Sequence, residues 1–152
     1  MRRLRRCWSD DRGQAAGIEV LPFGFLMFVV GALLLANAWA VVDAKLSAST
    51  AAREAARTAV EAPDGDTATI EAEAAAIHAV AGEGRESEVR VVLRTDGPWG
   101  RCNLVTAEVH ITVPAISLPF IGGFGSDFEV GAEHSEIVDP YRSGLPGEAT
   151  CG

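Results

Sequence analysis

Charged residues are missing from one long stretch of this chain. Between Glu19 and Asp43 the sequence has no Asp, Glu, Lys or Arg. A helix needs about 20 mostly apolar residues to cross a hydrocarbon core of about 30 Å, and this run is long enough. Because a single segment cannot close into a β-barrel, the sequence predicts a transmembrane helix over residues 19–42, with Pro22 in its first turn.

Basic residues are scarce on one side of this run, and the imbalance predicts the topology. Lys45 is the only Lys or Arg between the run and Arg53. The preceding flank contains five arginines: Arg2, Arg3, Arg5, Arg6 and Arg12. By the positive-inside rule, residues 1–18 form a cytoplasmic basic leader, and the chain beyond Asp43 lies outside the cytoplasm.

The part beyond the run also lacks the positive charge that nucleic-acid binding requires. From Asp43 onward the chain carries 18 acidic and 8 basic residues, a formal charge of −10. Phosphate contacts depend on clustered Lys and Arg, so a nucleic-acid partner is excluded for this part. An acidic surface exposed to water is the simplest interpretation, and membrane lipid is the partner that the composition predicts.

Cysteine is rare, with three residues that the predicted topology divides between two compartments. Cys7 falls in the cytoplasmic leader, where thiols stay reduced. Cys102 and Cys151 both fall outside, where a disulfide is permitted and would tie the C-terminal tail to the domain. Two unrelated thiols are the alternative.

Motifs for catalysis or metal binding are absent from the sequence. His78, His110 and His134 do not have the spacing of metal ligands. Ser, His and Asp occur without a nucleophile-elbow pattern, and Gly122-Gly123 lies in an apolar loop rather than after a strand in the manner of a phosphate site. The sequence therefore predicts no enzyme activity, no metal and no cofactor.

The segment after the uncharged run predicts a continuing helix over residues 43–62. It contains no Gly or Pro before Pro63, and alanine, the strongest helix former, is its commonest residue. Its alanines recur at steps of three and four residues: Ala48, Ala52, Ala55, Ala59 and Ala62. Small residues let helices approach closely, so this stripe packs either on copies and relatives of the chain or on the protein's own domain.

Residues 63–137 predict a small extracytoplasmic α+β domain with one helix and about three antiparallel strands. The helix spans residues 67–80 with Asp66 as its N-cap. Its predicted apolar face contains Ile70, Ala74, Ile77 and Ala81. A period of two residues predicts the strands, over residues 88–94, 103–113 and 127–137.

Two irregular segments complete the domain. Residues 115–125 form an apolar loop that is either a contact surface or part of the core. Residues 138–152 read as a C-terminal tail without regular structure.

Residues 11–62 resemble the TadE-like family of tight-adherence (Flp-type) pilus assembly proteins, which are pseudopilins. The resemblance is carried by Asp-Arg-Gly-Gln-Ala-Ala-Gly-Ile-Glu-Val at residues 11–20, by the apolar helix, and by Ala-Ala-Arg-Glu-Ala-Ala-Arg at residues 51–57. It implies cleavage by a prepilin peptidase between Gly13 and Gln14. It also implies an assembly carboxylate at Glu19, which would be the sixth mature residue where the family usually has its glutamate at the fifth.

The resemblance implies a membrane-anchored structural component of a Flp-type pilus, a minor pseudopilin whose partners are other pilins, pseudopilins and the assembly machinery. The alternative is a secreted or anchored binding domain unrelated to pili. Ala36-Asn37-Ala38 and Ala38-Trp39-Ala40 both match the small-residue pattern of a signal-peptidase site. The length of the uncharged run favours the pseudopilin, because a signal core has only about 7–15 apolar residues.

Overall fold

The computed structural model describes residues 12–83, 89–114, 117–118, 122–123 and 127–151. Two compact units make up the chain, Met1–Ala38 and Trp39–Gly152. The α+β class is confirmed in outline, with one long helix near the N-terminus, a second helix and a three-stranded antiparallel sheet. Cys7 lies outside the described residues.

Helix α1 spans Arg12–Glu61 without interruption. It begins seven residues before Glu19, so Pro22 lies inside the helix and not in its first turn as expected. The Pro22 nitrogen carries no hydrogen and cannot complete the bond to the carbonyl four residues earlier, a loss that a helix tolerates at isolated positions. The other end of α1 falls within one residue of the predicted limit.

Among its described residues, the second unit adds a 16-residue helix and five strands. Helix α2 spans Gly65–Val80, and a 3₁₀ turn follows at Ala81–Glu83. The strands are β1 Val89–Thr95, β2 Leu104–Val113, β3 Ser117–Leu118, β4 Gly122–Gly123 and β5 Phe128–Ile137. The main sheet has the order β1-β2-β5, and each of its pairs is antiparallel. A separate β3–β4 pair lies within the segment predicted as a loop over residues 115–125, and the rest of that segment lies outside the described residues.

The core is built around alanine. Every alanine of the predicted stripe in α1 is fully buried, in one cluster with residues of α2 and the inner face of β2. The cluster includes Ala72, Val105, Val109 and Ile111. The stripe therefore packs on the protein's own domain, which decides between the two interpretations that the sequence left open. Side chains this small allow the helix backbones and the sheet to approach closely.

Helix α2 buries a different face from the one predicted. Ala68, Ala72, Ala76 and Val80 are buried, whereas Ile70 is 70% exposed and Ala74 and Ala81 are also exposed. The prediction chose the face with the larger apolar side chains. The close approach of α2 to the alanine-lined core favours the face with the smaller ones.

The N-cap of α2 is Asp64 and not Asp66. The Asp64 carboxylate accepts a hydrogen bond from the Thr67 backbone N–H at 2.8 Å, and its backbone is extended. This satisfies one of the free N–H groups of the first turn, and Asp66 lies inside that turn, where the helix dipole favours a negative charge.

Contacts at two ends indicate that α1 and β5 run in the same direction within the second unit. Ala40 and Ala44 pack with Phe128 and Val130 at one end. At the other end the guanidinium of Arg142 donates to the carbonyls of Val60 and Glu61. From Ala40 to Glu61 the helix rises about 32 Å, and the ten steps from Phe128 to Val138 cover about 34 Å. The Ala40–Glu61 part of α1 and the chain from Phe128 to Val138 therefore have similar lengths.

The C-terminal tail is fixed at the end of the sheet that holds the last turn of α1. Cys102 and Cys151 form a disulfide. The Cys102 N–H donates to the Val138 carbonyl at 3.0 Å, and the Arg101 N–H donates to the Pro146 carbonyl at 2.8 Å. The described part of the tail, residues 138–151, has no regular secondary structure, and it is held by a bridge and by backbone hydrogen bonds.

Candidate functional site: the uncharged segment of helix α1

The uncharged segment of α1 exposes large apolar side chains around its circumference. In the first unit these include Leu21, Phe25, Phe28, Leu34 and Leu35, each more than half exposed. Within the described part of the chain this is the one helix long and apolar enough to cross a membrane, and none of its apolar window is buried in the protein. Monomeric soluble proteins rarely expose a continuous apolar surface of this size, so the segment is the candidate site.

Polar groups along this segment are few and mostly satisfied within the helix. The Asn37 side-chain amide donates to the Leu33 carbonyl, one turn earlier, at 3.0 Å. Local bonding of this kind lowers the cost of placing an amide in an apolar environment.

The three residues predicted to take part in processing and assembly lie near the start of α1. Gly13, Gln14 and Glu19 belong to its helical backbone. The side chains of these residues lie outside the described part of the structure.

The boundary between the uncharged segment and the domain has an apolar outer face. Trp39 and Leu46 are 72% and 64% exposed, and Val42 between them is about half exposed. The first cation after the run, Lys45, donates to the Gly131 carbonyl of β5. Sequence reasoning did not predict this contact, because it joins residues 86 positions apart.

The outer face of the sheet carries ion pairs that join its strands. Glu108 lies at their centre, with one carboxylate oxygen 2.5 Å from Arg94 Nη2 and the other 2.9 Å from His110 Nε2. Arg90 donates to both carboxylate oxygens of Glu129 at 3.1 Å, reaching across the central strand. These pairs link β1, β2 and β5, and their groups are partly open to solvent, so each contributes at most about 1 kcal/mol.

The other two histidines lie apart from this cluster. His78 is exposed on α2, and His134 Nε2 lies 3.6 Å from Glu136 Oε1 on β5. Among the described residues, no group of three His, Cys, Asp or Glu side chains is arranged to hold a metal ion.

The concave surfaces of the second unit are shallow and open. A groove of about 460 Å³ between α1 and α2 is lined by Thr50, Glu54, Ala75, His78 and Ala79. Ligand sites are usually enclosed and mostly apolar with a few converging polar groups, and this groove lacks that form.

No protein-family model, curated protein or solved structure matches this chain. Function has to be inferred from the residues themselves and from their geometry. The surface with the strongest functional signal is the uncharged segment of α1.

Proposed function

We propose that this protein is a membrane-anchored structural component of a Flp-type pilus, a TadE-like minor pseudopilin. It acts by packing its N-terminal helix against other pilus proteins in the membrane or in the growing fibre. The order of features along residues 11–62 supports this: a basic leader, a Gly-Gln pair, a glutamate, an uncharged run and an alanine- and arginine-rich helix.

One observation about α1 carries the proposal: one of its two possible packing surfaces is buried within the protein, and the other is exposed. The alanine stripe is covered by the protein's own domain. None of the apolar window of the uncharged segment is buried within the described chain. A partner helix would therefore pack on residues 20–42. Gly24 and Gly31 lie on that segment with open space where a Cβ would stand, which suits close approach of another helix.

The proposed topology is single-pass, with the leader in the cytoplasm and the domain outside. Arginines concentrated before the span favour a cytoplasmic leader. The disulfide between Cys102 and Cys151 fits a domain in an oxidising compartment, since cytoplasmic thiols are kept reduced.

The proposed role of Glu19 follows from the cost of a carboxylate in an apolar environment. Cleavage after Gly13 by a prepilin peptidase would give Gln14 a free α-amine. In an assembled bundle, that amine could pair with the Glu19 carboxylate of a neighbouring copy or relative and set the axial register. Leaving one member of a buried pair alone costs about 3–5 kcal/mol, so the pair would disfavour incorrect registers.

The mature N-terminus tests the proposal. Intact mass of protein taken from its native membrane fraction should show a chain beginning at Gln14. Gly13→Leu should leave the leader attached, because leader peptides of this class are cut after glycine. Gly17→Leu is the matched control and should be processed normally.

Other N-termini would contradict the proposal. A chain beginning at Trp39 or Val41 would show that the helix is a signal peptide, and the secreted binding domain would replace the pseudopilin. An intact Met1 would leave a permanent anchor without prepilin-type processing.

Incorporation into pili tests the role of Glu19 separately. Glu19→Gln should be processed and reach the membrane but be lost from sheared pili, because the neutral amide removes the charge pair. Glu54→Gln, on an exposed position of the same helix, should be incorporated normally. Equal incorporation of the two variants would remove Glu19 from the assembly mechanism.

A further inference from the structure

The two ends of the main sheet lie beside different parts of α1. The last pair of the β2–β5 ladder joins Val113 to Phe128. These residues pack with Ala40 and Ala44, and Ala40 belongs to the final turn of the uncharged run. This end of the sheet is therefore at the level where the proposed membrane span finishes. The opposite end, with the disulfide and Arg142, lies about 30 Å farther along the helix.

The outer face of α1 at this level carries three large apolar side chains, with the exposed Asp43 beside them. Trp39, Val42 and Leu46 follow one another at three- and four-residue steps, on the side of the helix away from Ala40 and Ala44. The ammonium of Lys45 is held by the Gly131 carbonyl within the unit. Tryptophan and leucine side chains at a span's end are typical of residues placed among lipid headgroups.

The chain that connects the two strands at this end is uncharged. The thirteen residues from Pro114 to Ser126 contain no Asp, Glu, Lys or Arg. Within them, Ser117–Leu118 pairs with Gly122–Gly123 as two short antiparallel strands. Charged residues occur at both ends of the unit. Those flanking this end are Asp43, Lys45, Asp127 and Glu129, and those at the opposite end include Glu61, Asp96, Arg101, Asp139 and Arg142.

We propose that the second unit binds the outer lipid–water interface through this end of its sheet, so that the chain has a lipid contact in addition to its spanning helix. The contact consists of Trp39, Val42 and Leu46 on α1 together with the strand ends at Val113, Pro114 and Phe128. The inference rests on the proposed membrane anchor. Its partner is a neutral phospholipid surface, because a domain with a formal charge of −10 is not drawn to anionic headgroups.

Depth measurements on the full chain test this contact. A single cysteine carrying an environment-sensitive fluorophore is placed at Leu46 or at the exposed Pro114, and the protein is reconstituted in phosphatidylcholine vesicles with a lipid-borne quencher. Matched controls are Arg53, two turns farther along the outer face of α1, and Thr95, at the far end of the sheet. A label at Leu34, within the uncharged segment, tests whether the anchor itself enters the membrane.

The background for labelling is Cys7→Ser, because Cys102 and Cys151 are bridged and do not react. The labels at Leu46 and Pro114 should show blue-shifted emission and loss of fluorescence with the quencher, and both effects should persist at high salt. The labels at Arg53 and Thr95 should emit as in water.

The outcomes separate this inference from the anchor. Quenching at Leu34 with aqueous emission at both Leu46 and Pro114 would overturn the lipid contact and leave the anchor intact. Aqueous emission at all five positions would overturn the anchor and the contact together. Quenching at Leu46 and Pro114 only in vesicles containing anionic lipid would overturn the neutral-surface proposal.

Discussion

The N-cap of α2 shows how two similar residues can take different roles. Asp64 and Asp66 flank Gly65, and each could cap a helix beginning nearby. Asp64 caps because its own backbone is extended and Gly65 is already helical. The Thr67 backbone N–H, and then the Thr67 hydroxyl, lower the pKa of Asp64 below 3.8, the ordinary value for this carboxyl group.

Removing the Asp64 carboxylate should therefore weaken the protein in a pH-dependent way. Asp64→Ala should lower the thermal unfolding midpoint near pH 7, measured by circular dichroism of the full chain in detergent. A lowered folded-state pKa contributes stability that is complete above the ordinary carboxyl pKa and is lost as the pH falls through the folded value. The difference between the variant and the parent should therefore shrink below pH 3.8.

The matched control for this prediction is Asp66→Ala. Asp66 interacts with the dipole of the first turn but is not the cap, so its loss should lower the midpoint less. A larger effect for Asp66→Ala than for Asp64→Ala would contradict the assignment of the cap.

Arg142 marks the limit of sequence reasoning at this scale. Its guanidinium satisfies carbonyls at the end of α1 from 81 and 82 residues away, and a cation there complements the helix dipole. The surrounding tail has no periodicity, so no local pattern identifies this arginine among the basic residues of the chain.

At the scale of elements, the periodicity of the sequence predicted the long helix and the main strands, but it did not predict which face of α2 is buried. The uncharged run and the alanines predicted a long helix, and alternation predicted the three main strands to within one residue at each end. The buried face of α2 was predicted incorrectly, because hydrophobicity favours Ile70 while the spacing between packed elements favours Ala72. The distance between packed elements depends on the neighbouring elements, so it cannot be predicted from the sequence of one helix alone.

Enlarging a buried alanine of α2 should disrupt this packing. Ala72→Leu should lower the free energy of unfolding by about 1–3 kcal/mol, because three extra carbons must enter a core with no room for them. Ala74→Leu, two residues along the same helix and exposed, should change it by less than about 0.5 kcal/mol. Urea titration of the full chain in detergent measures both, and equal losses would contradict the buried face described here.

At the scale of the whole molecule, the disulfide joins Cys102 to Cys151, which are 49 positions apart in the sequence. It fixes the tail that carries Arg142 beside the end of α1. The sequence identified the two cysteines through compartment and number, whereas the backbone bonds around them depend on long-range contacts that no local pattern encodes.

Breaking this bridge should destabilise the second unit by about 2–4 kcal/mol. Cys102→Ser, Cys151→Ser and the double variant should all lose the same amount in urea titrations, because each removes the same constraint. Cys7→Ser should leave the stability unchanged. A double variant much less stable than either single one would show that the two cysteines contribute separately.

The parallel course of α1 and β5 has a mechanical consequence. Helix α1 contacts β5 through Ala40 and Lys45 at one end, and the tail that follows β5 holds the last carbonyls of α1 through Arg142 at the other. Tension applied to α1 along its axis would act parallel to the strands, so it would load these contacts together in shear. A force at right angles to the axis would instead peel them apart one after another. The second unit is thus arranged to withstand extension along its helix better than a sideways pull.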